Sequence, residues 1–180
     1  MNISWLQPTL HGGLVHLSPM RADDHDALFA VAKDPLIWEQ HPARDRYKPE
    51  VFRPVFDQGL ASGSALVVRD ATTLEVIGST RFYVYRPEDP SVAIGYTFIA
   101  RRCWGGTYNP DMKRLLLQHA FCFVDRVWFH IGVSNRRSRE AIMRVGGRFS
   151  HEVFNDPAWA GADQSYYYID KSSFSSPAAT

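Results

Sequence analysis

Hydrophobic and polar positions follow two different periods along this chain, and the changes of period mark its elements. From Val76 to Tyr85 the residues alternate between two faces, which is typical of a β-strand. Between Pro49 and Leu60 the apolar residues recur at helical spacing, with proline in the first turn and Gly63 just beyond the end. Further helices are predicted from Asp23 or Asp24 to about Lys33, from Met112 to Val124, and after Asn135. Further strands are predicted at 14–17, 65–69, 92–100, 127–133, 148–154 and 164–169.

The order of these elements predicts a single α/β domain. The chain of 180 residues is long enough to bury a core, and it contains no repeat and no linker. We expect residues 1–171 to form that domain. The Ser/Pro/Ala-rich segment from Lys171, residues 172–180, is predicted to be a flexible tail.

Composition and charge exclude several classes of protein. The formal net charge of +1 gives no overall attraction to nucleic acid or to a membrane surface. No apolar run approaches the roughly 20 residues that span a bilayer, and the N-terminus does not resemble a signal peptide. The two cysteines, Cys103 and Cys122, form no framework, and the histidines show no ligand spacing, so we expect no metal. These features predict a cytoplasmic protein.

The segment from Arg102 to Pro110, Arg-Cys-Trp-Gly-Gly-Thr-Tyr-Asn-Pro, carries the clearest chemical signal. It joins an apolar strand to a helix, and glycines at such a junction let backbone N–H groups approach an anion. The Walker motif and the dinucleotide fingerprint are both absent. The segment is therefore a candidate pyrophosphate loop of another kind; the alternative is that Gly105 and Gly106 only form a tight turn.

A second motif follows the next predicted strand and favours the first interpretation. Asn135, Ser138, Ala141, Ile142 and Gly146 stand in the order Asn-x-x-Ser-x-x-Ala-Ile followed by a glycine turn. Together with Trp104, Gly105 and Tyr108 of the loop, this order resembles the GNAT superfamily, the GCN5-related N-acetyltransferases. It is most similar to the branch of the ribosomal-protein alanine and serine N-acetyltransferases, and the resemblance covers nearly the whole chain.

The resemblance implies an α/β (α+β) fold with one mixed, mostly antiparallel sheet of about seven strands and about four helices. In this fold two strands splay apart and admit acetyl-CoA, which would be the co-substrate. Backbone groups of Phe98, Ile99 and Ala100 would pair with the pantetheine arm. The residues implied for the pyrophosphate end are Arg102, Gly105, Gly106, Thr107, Tyr108 and Asn109, with Asn109 also a candidate helix cap.

Thr107 departs from the family pattern, which has glycine or alanine at that position. A β-branched residue is disfavoured at positive φ. Either the turn shifts to Gly106 or the Thr107 hydroxyl contacts a phosphate.

The resemblance also implies roles for two residues of the second motif. Asn135 would hydrogen-bond the cofactor near the thioester, and Ser138 would protonate the leaving thiolate. The structural alternative for both is helix capping, since Asn is a good N-cap and Ser is common in a first turn.

An acceptor pocket is implied around Trp38, Glu39 and His41, in the loop between the first two helices. Glu39 or His41 is a candidate base for the amine, and a chain of water molecules without a single base is the alternative. One face of an aromatic set, Phe82, Tyr83, Tyr85 and Tyr166 to Tyr168, is a further candidate lining of this pocket.

The predicted function is acetyl-CoA-dependent transfer of an acetyl group to a primary amine, by direct transfer in a ternary complex. The acceptor would be a protein N-terminus, an amino acid or a small amine. A homodimer is possible for proteins of this type. The alternative is a non-catalytic acyl-CoA-binding sensor on the same fold, and a longer acyl-CoA is another candidate donor.

Overall fold

The computed structural model describes residues 4–174, which form one open sheet of eight strands with four α-helices. The strand order is β1-β2-β3-β4-β5-β6-β8-β7, and every neighbouring pair in it is antiparallel except β5 and β6. The elements are β1 Leu10–His11, β2 Val15–Pro19, α1 His25–Ala32, α2 Pro49–Ala61, β3 Ala65–Asp70, β4 Val76–Arg86, β5 Ser91–Ile99, α3 Tyr108–Ala120, β6 Arg126–Gly132, α4 Arg136–Arg144, β7 Arg148–Asp156 and β8 Ala162–Asp170.

Both faces of the sheet are covered, and β3 shows how the sequence produces this. Leu66 and Val68 point into a core built around α3, whereas Ala65 and Val67 point into a second core built around α1 and α2. All four side chains are at most 1% exposed. A strand buried on both faces reads as a continuous apolar run rather than as an alternation.

β5 and β6 separate part-way along their length, and this separation positions the site. Their pairing covers Ser91 with Arg126, Val92 with Val127 and Ala93 with Trp128. Beyond these residues β5 continues to Ile99 without β6 beside it, while β6 continues to Gly132 paired on its other side with β8. The predicted splayed strands are therefore present in a mixed, mostly antiparallel sheet.

The structure differs from the sequence-based expectations in two places. The sheet has eight strands rather than about seven, because β1 is a two-residue strand defined only by its pairing with β2. Helix α3 begins at Tyr108 with Thr107 at the N-cap position, so the prediction that Asn109 caps it was wrong. The segment predicted to be a tail begins with a 3₁₀ turn at residues 171–173, and Phe174 packs on Phe121; the flexibility of residues 172–180 stays a prediction. Residues 175–180 of that predicted tail lie outside the described part of the chain.

None of the helices within residues 4–174 has the length and apolar composition that a bilayer crossing requires.

Candidate functional site

A cavity of about 570 Å³ opens where β5 and β6 diverge. Its lining comes from the loop after α1, from β4, β5 and β6, from the starts of α3 and α4, and from the loop between β7 and β8. The residues that matter for its chemistry are Trp38, His41, Arg46, Tyr83, Tyr96, Thr97, Phe98, Ile99, Trp104, Gly105, Gly106, Asn109, Lys113, His130, Asn135, Arg137, Ser138, Arg144 and Trp159.

The glycine loop forms an open backbone surface at the start of α3. Gly105 has a φ of +72°, and a Cβ placed on Gly105 or Gly106 would have nothing within 4 Å. The side chain of Thr107, the N-cap residue, accepts no hydrogen bond from the first-turn N–H groups. Those N–H groups and the positive end of the helix dipole make this a suitable place for an anion.

Thr107 causes no backbone strain. Its φ of −94° lies in the right-handed region, and the positive φ falls on Gly105 instead. The Thr107 side chain is exposed and does not line the cavity. The positive φ that the turn needs is thus supplied by Gly105, two residues before Thr107.

Asp111, the carboxylate in the first turn of α3, is directed away from the glycine loop. Its side chain accepts hydrogen bonds from the backbone N–H groups of Leu14 at 2.9 Å and Val15 at 3.3 Å. It also forms an ion pair with Arg114 at 2.8 Å. The negative charge is therefore held at β2, and the N-terminus of α3 keeps its attraction for anions.

β5 contains an irregularity within the cavity. Ser79 pairs with Phe98 and Arg81 pairs with Gly95, so β5 advances three residues where β4 advances two. Tyr96, within this interval, has a φ of +52°. A bulge of this kind changes the direction of the backbone groups beside it and is common next to active sites. Here it lies on the length of β5 that β6 does not pair.

Asn135 is the N-cap of α4. Its Oδ1 accepts a hydrogen bond from the backbone N–H of Ser138 at 3.2 Å, and the side chain is 7% exposed. Both residues also line the cavity. The capping function of Asn135 is thus present, together with a position at the cavity for both side chains.

Arg137 connects α4 to the loop after α1 and to the glycine loop. Its Nη2 donates to the carbonyl of Ile37 at 2.8 Å, and its backbone N–H donates to the Gln40 side chain at 3.1 Å. Its guanidinium lies 3.9 Å from the centre of the Trp104 ring, and Trp104 in turn donates to the Ile99 carbonyl at 3.0 Å. These contacts fix one wall of the cavity.

His41 is held in one tautomer when its ring is neutral. Burial, followed by the charge of Arg46, lowers the pKa of His41 to about 4. Its Nδ1 accepts a hydrogen bond from the backbone N–H of Ala43 at 2.9 Å, so the proton of the neutral ring lies on Nε2. In this state the other ring nitrogen, Nε2, carries a proton and is a hydrogen-bond donor rather than a base.

A group of aromatic side chains surrounds another part of the cavity. Tyr83, Tyr96 and His130 each contact Trp159 with ring centres 5.8 to 5.9 Å apart. The Tyr83 hydroxyl and His130 Nδ1 are 3.0 Å apart. Burial lowers the pKa of His130 to about 4 and raises the pKa of Tyr83, so both side chains are neutral at pH 7.

Lys113 is a buried cation at the cavity wall. The side chain is 4% exposed, its Nζ lies 3.2 Å from Thr97 Oγ1, and no carboxylate in the described part of the chain forms an ion pair with it. Burial lowers the pKa of Lys113 to about 7. The sequence pattern does not single out this residue.

The predicted site residues fall into two groups. Those that line the cavity are Trp38, His41, Phe98, Ile99, Gly105, Gly106, Asn109, Asn135 and Ser138. Those that do not are Glu39, Ala100, Arg102, Thr107 and Tyr108. Glu39 is exposed, Arg102 pairs with Glu75 at 2.8 Å, and the Tyr108 hydroxyl donates to Asp70 at 2.8 Å. Sequence reasoning missed Arg46, Lys113, His130 and Trp159, which are brought to the cavity only by the tertiary fold.

A family model described as an acetyltransferase (GNAT) domain matches residues 15–148. The chain belongs to the GNAT acetyltransferase family. The match includes the glycine loop, both splayed strands and the Asn-x-x-Ser helix. Membership supports acyl-CoA-dependent acetyl transfer in general. No curated protein matches the sequence.

Solved structures share this fold. A GCN5-related N-acetyltransferase from Brucella melitensis is 20% identical, with 93% of this chain and 80% of that chain covered and a TM-score of 0.79. RimJ from Mycobacterium smegmatis, in complex with CoA-disulfide, is 18% identical, with 96% and 91% covered and a TM-score of 0.71. Spermidine N-acetyltransferase from Vibrio cholerae, in complex with CoA and spermine, is 14% identical, with 89% and 97% covered and a TM-score of 0.69. At these identities the similarity establishes the fold.

No group of three or more metal-ligating side chains occurs within residues 4–174.

Proposed function

We propose that this protein transfers the acetyl group of acetyl-CoA to a primary amine in a ternary complex. The proposal depends on one combination of features. The end of β5 has no strand paired with it on the side of β6, and an anion-attracting glycine loop follows it. A peptide-like pantetheine arm needs backbone partners, and the pyrophosphate needs N–H donors. Family membership and the two CoA complexes among the structural neighbours support the same donor.

The donor's phosphates would lie at the first turn of α3, with Gly105 and Gly106 leaving room for close approach. Arg137 and Arg144 belong to the same lining and supply positive charge. The pantetheine arm would follow β5 past Phe98 and Ile99. This arrangement depends on main-chain geometry, which is why Thr107 is compatible with it despite its departure from the family pattern.

In the transfer step the amine nitrogen attacks the thioester carbonyl, a C–N bond forms and the C–S bond breaks. The charge that develops on the carbonyl oxygen needs a preorganised hydrogen-bond donor. Backbone N–H groups at the Tyr96 bulge of β5 are suited to this role because the bulge directs them away from the regular ladder. Ser138, at the cavity, is the proposed proton donor to the departing thiolate.

The amine must attack in its neutral form, and the lining supports this without a dedicated base. The α-amine of a peptide N-terminus has a pKa of about 7.7 to 8.0 in water, and a carboxylate on the same carbon raises it. Arg46 and Lys113 lie in the lining, and nearby positive charge lowers the pKa of a bound amine. We therefore propose that water accepts the proton, and that Glu39, which is exposed, and His41, which presents an N–H, are dispensable as bases.

The direct experiment measures release of free CoA thiol from acetyl-CoA with and without a panel of primary amines. Amine-dependent release with formation of the acetylated amine is the expected result. Binding of acetyl-CoA without release for any amine would contradict the proposal and favour the non-catalytic acyl-CoA sensor. Running the same assay with longer acyl-CoA donors identifies the preferred acyl group.

A cytoplasmic location of the protein remains a prediction.

A further inference from the structure

The lining of the cavity is unusual in its charge. Among the described residues that line it there is no aspartate and no glutamate, whereas three arginines and one lysine are present: Arg46, Arg137, Arg144 and Lys113. A pocket that binds a polycationic amine needs carboxylates to offset the charge of its ligand. The lining therefore disfavours a polyamine acceptor and favours a ligand with negative charge.

Two arginines lie beside the aromatic part of the cavity, away from the residues proposed for the donor phosphates. Arg46 lines the main cavity and also a small adjoining cavity of about 30 Å³, which Arg81 lines as well. Trp38, Tyr96 and Phe98 line both cavities and connect them. The two guanidinium groups thus belong to one continuous region.

Neither arginine has a carboxylate partner in the described part of the chain. Arg81 is 7% exposed; its guanidinium lies 3.5 Å from the centre of the Tyr96 ring, and it donates to the Gln58 carbonyl at 3.4 Å. Arg46 lies 5.6 Å from the centre of the Trp38 ring. The Nε atoms of both arginines are buried without a hydrogen-bond partner. Burial lowers the pKa of Arg46 and the charge of Arg81 lowers it further, whereas Tyr96 and Asp45 act in the opposite direction.

A guanidinium whose Nε is buried without a hydrogen-bond partner is costly to the folded protein, and an anionic ligand that reaches the group reduces that cost when it binds. The planar fork of arginine matches a carboxylate in a bidentate manner. The cavity of about 570 Å³ must also hold the thioester arm, so the space left for the acceptor is small.

We propose that the acceptor is a small amine that also carries a carboxylate, such as an α-amino acid, and that Arg46 binds the carboxylate with Arg81 supporting it. This inference rests on the proposed function. The carboxylate lies against Arg46 while the amine faces the donor, and the aromatic side chains Tyr83, Tyr96 and Trp159 enclose the rest of the acceptor.

The test compares glycine and each L-amino acid that has a primary α-amine with the corresponding amide, which keeps the side chain but removes the negative charge. Rates are referred to the concentration of neutral amine, because loss of the carboxylate lowers the pKa of the amine. Putrescine serves as the dicationic comparison. Two readouts are taken: thiol release from acetyl-CoA, and calorimetric binding of the same compounds in the presence of CoA, where no transfer occurs. We expect kcat/KM for the preferred acid to exceed that of its amide by about tenfold or more, as for loss of a hydrogen bond to a charged group.

Two variants assign the effect to Arg46. Arg46→Gln is expected to reduce the preference for acid over amide to within about twofold, because it lowers the rate on the acid more than the rate on the amide. Arg44→Gln removes an exposed cation two residues earlier in the same loop and is expected to keep the preference. A merely structural role of Arg46 would lower both rates together and leave their ratio unchanged.

The outcomes separate the inference from the proposed function. Transfer to amides or putrescine as efficient as transfer to acids would overturn the inference while leaving the acetyltransferase activity intact. Carboxylate-dependent binding without any thiol release would overturn the proposed function and, with it, the acceptor role of the ligand, while leaving Arg46 as the residue that binds its carboxylate. Equal binding of acids and amides, or an unchanged preference in Arg46→Gln, would overturn the inference.

Discussion

The buried charge of Lys113 predicts a specific dependence of stability on pH. The pKa of this lysine falls from 10.5 to about 7 on folding because the side chain is 4% exposed and has no carboxylate partner in the described part of the chain. Replacing it by methionine keeps an unbranched side chain of similar length and removes the charge. The perturbation is therefore Lys113→Met.

The sign follows from the protons bound in each state. Below pH 7 both the folded and the unfolded protein carry the charge, and the folded protein bears the cost of burying it. Between pH 7 and 10.5 the folded state loses the proton while the unfolded state keeps it, so the free energy of unfolding rises with pH. The rise approaches about 1.4 kcal/mol per pH unit. From pH 7.5 to 9.5 the contribution of Lys113 amounts to roughly 2.5 kcal/mol.

The assay is urea unfolding followed by tryptophan fluorescence at half-unit intervals of pH, for the unaltered protein and for Lys113→Met. Other titrating groups are common to both proteins and cancel in the difference. We expect Lys113→Met to be the more stable protein at pH 6.5 and its advantage to shrink as pH rises. Lys33→Met, at an exposed lysine, is the matched control and should show no such trend.

A difference between the two proteins that stays constant from pH 6.5 to 9.5 would refute the reasoning, because Lys113 would then titrate as it does in the unfolded chain. A variant less stable than the unaltered protein at pH 6.5 would also refute it, since the hydrogen bond to Thr97 would then outweigh the cost of the buried charge.

Three further substitutions test other parts of the structure. Gly105→Val places a β-branched side chain at a φ of +72° in the glycine loop. It should weaken acetyl-CoA binding, measured by calorimetry, by at least about tenfold in a still-folded protein. Unchanged affinity would mean that the loop is not part of the donor site. Gly78→Ala would put a Cβ 2.0 Å from the carbonyl oxygen of Phe98. We expect the free energy of unfolding, measured in urea, to fall by about 3 kcal/mol or more. A fall of less than about 0.5 kcal/mol would show that β4 and β5 separate easily at this position. Asp111→Ala leaves the backbone N–H of Leu14 without its acceptor and should lower the free energy of unfolding by about 2 kcal/mol in the same assay. The affinity for acetyl-CoA should stay the same. A marked change in that affinity would mean that this carboxylate acts on the phosphate site.

The helices and strands were predictable where local chemistry defines their ends. Helix α2 begins at Pro49, as predicted, and Gly63, with a φ of +60°, lies just beyond its end. β1 was not predictable, because two residues carry no period and exist as a strand only through pairing with β2. At α3 the Asn109-Pro110 signal pointed to the wrong cap, since the helix extends two residues further toward the loop.

The donor side of the candidate site was accessible from the sequence because it consists of a loop and two helix starts with local motifs. Gly105, Gly106, Asn135 and Ser138 line one cavity as the motifs imply. The part of the cavity proposed for the acceptor was only partly accessible. Trp38, His41 and Tyr83 were candidates and line the cavity, whereas Glu39 does not. Arg46 and Lys113 were not singled out, because only the packed fold brings them to the cavity.

The measurement that tests the central claim most directly is thermal unfolding with and without acetyl-CoA, carried out in parallel on the unaltered protein and on Gly105→Val. A donor held at about 100 times its dissociation constant should add about 2.7 kcal/mol to the stability of the unaltered protein. The expected result is a clear upward shift of the unfolding temperature with acetyl-CoA that Gly105→Val loses. No shift with acetyl-CoA, or an equal shift in both proteins, would contradict the assignment of the cavity between β5 and β6 as the acetyl-CoA site.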